Sequence, residues 1–285
     1  MMNPEYWVII IGCMVAIPCS ILGCFLVLRK SVMVSDAIAH SVLPGIVIAY
    51  LITESRDSFA MFIGASLFGI LTTFLIEMIS QKSSIQKDAS IGIVYTLLFS
   101  IGVILISLNS VNIDMDPEHI LYGEILLTPF NQWYTDSGLC LGPKSIWTLG
   151  IINIIVIGTI SMFFRYFSIT SFDSKYATSI GISAIVWHYS LMSLVSFTTI
   201  GAFDSVGAIL VIAFIAIPST TAHLLTKSLK KMILLSIIIG VTAVIIGLKI
   251  NILINSSASG SITVAMLGIF LAVFLYTSYI KKNLL

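Results

Sequence analysis

The sequence predicts an all-α, polytopic integral membrane protein with about eight or nine transmembrane helices, some of them short or broken. Of 285 residues, 58% are hydrophobic and only 9% charged, against about 25% charged in an ordinary soluble domain. Mean hydropathy is +1.09. The apolar residues also fall into runs of about 20, the length that crosses a bilayer as helix. No soluble domain of useful size fits between these runs, so residues 1–285 read as a single transmembrane domain. The net charge of +1 gives a nucleic-acid partner nothing to bind.

The runs, in order, are 7–28, 36–52, 60–79, 91–108, 146–164, 182–200, 203–218, 232–250 and 262–280. The first is read as a span and not a cleaved signal, because "MMNPEYW" lacks a basic leader and no small-residue cleavage site follows. Cys13, Cys19 and Cys24 sit in that run as small buried apolar side chains, and Cys140 has no partner in its loop. With the N-terminus outside, the inner loops carry Arg29, Lys30, Lys82, Lys87, Arg165, Lys175, Lys227, Lys230, Lys231, Lys281 and Lys282. The outer side carries only Arg56, Lys144 and Lys249. Eleven against three is a positive-inside pattern, which places the C-terminus in the cytoplasm. Residues 182–217 have basic residues on both flanks, so the chain enters and returns on the inner side. Two short spans or a re-entrant pair both satisfy that requirement. The outer loop 109–145 is acidic, with Asp114, Asp116, Glu118, Glu124 and Asp136; it reads as a solvated lid or a docking surface.

The second run, "SVMVSDAIAHSVLPGIVIAY", carries the most informative chemistry. Asp36 and His40 are one helical turn apart and share a face. With the hydrocarbon starting near Val32, His40 lies roughly 12 Å deep. Two readings stand for the pair. Ser35 could be an N-cap with Asp36 a first-turn acid, and His40 a neutral buried imidazole. Alternatively the pair lines an ion path, since ionisable groups at that depth are costly. Carboxylate plus imidazole, with no thiolate near, suits Mn²⁺, Zn²⁺ or Fe²⁺ and argues against Cu(I). Two ligands per chain bind weakly, as a conduit requires, and a dimer would bring two pairs together. Pro44 frees a carbonyl, and with Gly45 it reads as a helix hinge. His188 in "AIVWHYSLMSL" and Asp204, at the turn between the sixth and seventh runs, are second-rank pathway candidates. Glu77 reads as a local partner of Lys82.

No nucleotide-binding loop is present; "GLCLGPKS" has the wrong spacing and faces outside. Energy therefore comes from a gradient or a partner. The seventh run stops at Pro218. Ser219, Thr220 and Thr221 can then cap a short helix through Ala222, His223, Leu224, Leu225 and Thr226, held inside by Lys227, Lys230 and Lys231. That segment is either a docking element for a soluble partner or an ordinary basic loop.

At these residues the chain resembles the permease subunits of the manganese/zinc/iron ABC transporters, the ABC-3 family. The resemblance rests chiefly on "LRKSVMVSDAIAHSVLPGIVIAY" and "VGAILVIAFIAIPSTTAHLLT". Weaker support comes from "IQKDASIGIVYTLLFSIGV", "DPEHILYGEIL", "ITSFDSKYATSIGI" and "SSASGSITVAML", in order over residues 22–275. It implies a non-enzymatic permease domain in a bacterial cytoplasmic membrane, paired with a second copy or a related permease. It also implies two cytoplasmic ATPase subunits that use ATP, and an extracytoplasmic metal-binding protein. It points to Asp36 and His40 as pathway residues and to Pro218–Thr226 as the coupling helix, with no permanently bound cofactor. The outer loop around "LLTPFNQWYTDSGLCLGPKSIW" is longer than in the family pattern, which bears on docking there. Competing classes are a gradient-driven metal carrier and an ABC permease for a haem or siderophore complex. The latter would leave the Asp–His pair without a role. No HExxH or GxSxG motif marks an intramembrane enzyme.

Overall fold

A computed structural model describes residues 4–53, 58–83, 85–108, 125–134 and 140–283. It is a helical bundle. Twelve α-helices are present among these residues: α1 Pro4–Leu28, α2 Met33–Ser41, α3 Leu43–Thr53, α4 Ser58–Lys82, α5 Lys87–Leu108, α6 Lys144–Met162, α7 Phe164–Phe172, α8 Ser174–Ser179, α9 Ala184–Val206, α10 Ala208–Leu225, α11 Leu229–Ile254 and α12 Ala258–Asn283. Nine stretches among the described residues are long and apolar enough to cross a membrane, with α2 and α3 forming one of them. Successive spans alternate direction, so the inner-loop basic residues sit around one end of the bundle, here called the basic end. Both α9 and α10 are long and apolar enough to cross, so residues 182–217 hold two helices, and the described residues hold nine candidate spans.

α1 is the central element. In its most apolar stretch 72% of the residues are buried, against 28% in α5, α6 and α12. Ile11, Val15, Ala16, Cys19, Leu22, Cys24, Phe25 and Leu26 are fully enclosed. It packs against α10 and α11, and also touches α6 and α9. The peripheral helices instead turn Ile154, Leu253 and Leu275 outward. Outward-facing leucine and isoleucine are the expected surface of a chain whose solvent is hydrocarbon. Cys13, Cys19 and Cys24 are free thiols, the last two buried, as the sequence implies.

Three expectations are corrected here. The chain reverses at Gly207, whose φ of +80° needs a residue without Cβ, so Asp204 lies in the last turn of α9 and not in the turn between spans. Pro218 does not end a helix: α10 runs through it to Leu225. Ser219 and Thr221 do not cap a new helix. Their hydroxyls donate back to the carbonyls of Ile215 and Ile217 within the same helix. The outer loop contains a two-stranded antiparallel hairpin, β1 Gln132–Tyr134 with β2 Cys140–Pro143. The acidic-lid reading and the "DPEHILYGEIL" motif fall largely outside the described residues.

Where α1 and α10 cross, a methyl group on Gly23 would overlap the Ile215 carbonyl and lie 2.9 Å from the Ser219 hydroxyl, whereas one on Gly158 in α6 meets nothing within 4 Å. Gly23→Ala is expected to cost about 1–3 kcal/mol by overpacking, while Gly158→Ala leaves stability unchanged or slightly raised. The midpoint of thermal unfolding in detergent checks both.

Candidate functional site

The break between α2 and α3 organises the site. Pro44 has no N–H to offer the carbonyl of His40, four residues earlier, and the helix interrupts at Val42. The carbonyl and imidazole of His40 and the carboxylate of Asp36 therefore fall within one turn. His40 Nε2 lies 3.5 Å from Asp36 Oδ1, and the two side chains are 35% and 39% exposed. Two donors each about 2.1 Å from a shared ion lie about 3.0–3.5 Å apart at angles from square to tetrahedral, so the spacing fits one cation held between them. Among the described residues no group of three or more His, Cys, Asp or Glu is poised to hold a metal.

The pair is braced from behind. Ser41 and Thr72 share a hydrogen bond of 2.6 Å that ties α2 to α4. Tyr95 and Phe99, one turn apart on α5, set their rings 5.8 and 6.1 Å from the His40 imidazole. Ser35 is not the N-cap: Val32 occupies that position without a side-chain bond, and the Ser35 hydroxyl donates to the Val32 carbonyl at 2.7 Å. Asp36 does sit in the first turn, where the helix dipole favours a carboxylate.

Pro44 and Gly45 prove to be packing residues as well. Gly45 and Gly64 of α4 meet so closely that a methyl on either would overlap the other's carbonyl, and a methyl on Gly102 of α5 would lie 2.9 Å from the Pro44 nitrogen. Helix α3 is thus gripped by α4 and α5 just beyond the break.

His188 is not brought to this pair. It belongs to a polar network at the basic end that the sequence did not reveal. Arg29, at the end of α1, donates from Nε to Ser171 Oγ at 2.9 Å and from Nη2 to Thr170 Oγ1 at 3.0 Å. Its Nη1 lies 3.1 Å from His188 Nδ1. Arginine only donates, so Nδ1 accepts and the ring proton sits on Nε2, facing Glu77 Oε2 at 3.7 Å. Glu77 also pairs with Lys87 Nζ at 3.6 Å and accepts from Gln81. Its ionic partner is therefore Lys87 on the next helix, not Lys82. Burial lowers the Arg29 guanidinium to about 10, opposed by the nearby Glu77 charge, so it stays charged at neutral pH. One chain of contacts joins α1, α4, α5, α7 and α9. Asp204 has a described backbone in α9, but its side chain lies outside the described residues.

The second sequence-derived segment, Pro218–Thr226, is mostly packed. Pro218, Ser219, Thr221 and Ala222 are buried, Thr220, Leu224 and Thr226 half-buried, and His223 and Leu225 exposed.

Comparison with known proteins places the chain as a whole. The family described as "ABC 3 transport family" matches residues 2–277. The chain belongs to the ABC 3 transport family. Manganese transport system membrane protein MntD of Bacillus subtilis is 43% identical over 277 residues, covering 97% of this chain and 93% of MntD. Zinc transport system membrane protein TroD of Treponema pallidum is 36% identical, over 95% of this chain and 73% of TroD. The solved structure of PsaBC from Streptococcus pneumoniae in complex with Fab matches with a TM-score of 0.77 at 33% identity, over 96% of this chain and 91% of that one. The ABC 3 chain is accordingly a multi-pass membrane permease of an ABC transport system, and not an enzyme.

Removing Arg29 takes a donor from His188 Nδ1 and from two hydroxyls that keep their own bonds to Tyr166 and Phe167, while Glu77 keeps Lys87. Arg29→Met is expected to destabilise by about 1–3 kcal/mol, while Lys82→Met, an exposed residue of the same end, changes stability by under about 0.5 kcal/mol. Denaturation of the two variants side by side in detergent is the check.

Proposed function

We propose that this chain is the permease of an ATP-driven importer for a divalent transition-metal cation, Mn²⁺, Zn²⁺ or Fe²⁺, and that Asp36 and His40 line the ion's path where two permeases meet. The observation that carries the proposal is the half-exposed pair, 3.5 Å apart inside a span. Facing lipid, those groups would be costly. Facing a second copy or a related permease, they gain the partner's equivalent donors. A neighbouring face of α5 supports that placement. Ala89, Thr96, Ser100 and Ser107 are exposed on it, and the space beyond Gly92 is open. Small residues are what membrane helices use to approach closely. The cargo follows from the donor set and from the relatives, which are named for manganese and zinc.

The basic end would face the cytoplasm, with the N-terminus outside and the C-terminus inside. Metal would arrive from an extracytoplasmic binding protein and leave toward two ATPase subunits that supply the energy. The break at Val42, next to Pro44, serves as the hinge, and Gly45, clasped by Gly64, is its anchor. ATPase contact would be shared. The exposed tip of α10, His223 to Thr226, offers one part of Pro218–Thr226, and the buried remainder transmits movement. The short helices α7 and α8 offer a broader surface at the same end, with Phe172, Tyr176 and Ile180 exposed by 59%, 57% and 46%. Arg29 links α7 to His188 and Glu77, so movement of a docked helix would reach α4 and α5, and through Tyr95 and Phe99 the imidazole of His40.

Asp36→Asn or His40→Ala should lower accumulation of radioactive manganese or zinc by more than about 100-fold, exceeding the 10–100-fold typical of losing a mere supporting residue. The permease–ATPase complex should still co-purify. Wild-type accumulation in the double variant, or uptake driven by a proton or sodium gradient without ATP, would refute the reading. Replacing Phe172 and Tyr176 together by alanine should weaken ATPase co-purification while leaving the permease folded; unchanged co-purification would remove α7 and α8 from the contact.

A further inference from the structure

A crevice of about 400 Å³ opens on the outer surface of the bundle between α1, α6 and α11. It lies away from the Asp36–His40 pair and from the α5 face. Its walls are Ile21, Ile157, Ile160 and Ile233, with Ser161, Phe164 and Lys230 at one end. All three helices contribute their basic ends. Ser161 is one residue from the end of α6 and Lys230 is the second residue of α11. Ile21 is seven residues, about 10 Å, from the end of α1. The crevice therefore spans the boundary between headgroups and acyl chains in the leaflet on the basic side.

Its chemistry is divided in the same way. The deep part is aliphatic. At the lip, the Lys230 ammonium stands 5.8 Å from the centre of the Phe164 ring, close enough for the ring to hold it by cation–π attraction while its N–H donors stay available. Arg165, Lys227 and Lys231 are exposed nearby in sequence. No carboxylate competes for them from α10, α11 or α12, because Asp204 is the last acidic residue in the chain. A basic rim above an aliphatic slot matches one occupant, a lipid with a negative headgroup and a hydrocarbon tail. Free phosphate would satisfy the rim and leave the slot empty. A zwitterionic lipid would fill the slot but bring its own cation to the rim.

We propose that this crevice is a binding site for an anionic phospholipid of the leaflet on the basic side, with the phosphate on Lys230 and an acyl chain along Ile21, Ile157 and Ile160. Occupancy bridges α1, α6 and α11, so it stabilises the bundle.

The test is thermal unfolding of the full-length chain in detergent with added phosphatidylglycerol, phosphatidylcholine or inorganic phosphate. Phosphatidylglycerol should raise the midpoint by about 3–5 °C, and the other two should not. Lys230→Gln should lose most of that rise, and Ser161→Phe, which fills the mouth, should lose it independently if the first variant folds poorly. Lys249→Gln, at the other end of α11, should keep it. Native mass spectrometry should find phosphatidylglycerol retained by the unaltered chain and released by Lys230→Gln. Equal shifts with both lipids, a shift with phosphate alone, no shift at all, or a full shift in Lys230→Gln would each overturn the assignment.

Discussion

Hydrocarbon offers no hydrogen bonds, and the arrangement of this chain follows from where it puts the few ionisable groups that its spans contain. A carboxylate or imidazole within a span must find protein, water or an ion. The chain meets that requirement in two ways. At the basic end Arg29, His188, Glu77 and Lys87 contact one another across helices, so each finds a polar partner within a single copy. At Asp36 and His40 the matching is incomplete: the two contact each other at 3.5 Å and remain more than a third exposed. An internally matched network holds a fold together. An incompletely matched pair on an outer face calls for a further partner.

The two centres are mechanically related. Lys87 is the first residue of α5, while Tyr95 and Phe99, two and three turns along the same helix, lie against His40. Helix α4 carries Glu77 to one centre and Thr72 to the other. Two helices, α4 and α5, thus touch both centres. The helix that bears the pair is divided at Val42 by Pro44, with α3 fixed against Gly64 and Gly102 beyond the break. Both sides of the break are packed: α2 buries Ser35, Ile38 and Ser41 and is tied to α4 through Thr72, and α3 is gripped at Gly45.

Much of this was legible in the sequence, for identifiable reasons. Spans are set by runs of apolar residues, a local property, and each of the nine expected runs overlaps an observed one. The Asp36–His40 spacing is local too, since one helical turn fixes both on one face. What escaped was tertiary. Glu77 lies five residues from Lys82, yet it pairs with Lys87 across a helix boundary. Arg29 looked like a topology signal, although a basic residue ending the most buried span, with Thr170–Ser171 and a histidine in other basic-end segments, was the available clue. Pro218 looked like a stop because proline breaks an isolated helix. In the bundle, α10 runs through it to Leu225, packed closely against Gly23 of α1. The reversal came at Gly207 rather than around Asp204, because a positive φ, and not an acidic side chain, is what that turn requires.

The central claim is that the α5 face beside Asp36 and His40 meets a second permease. Disulfide cross-linking in native membranes tests it most directly, with a cysteine at Thr96 on that face and, for comparison, one at Ile154 on the outer face of α6. The account predicts a band at the mass of two permeases from Thr96→Cys and none from Ile154→Cys. A permease pair formed through Ile154→Cys but not through Thr96→Cys would contradict it.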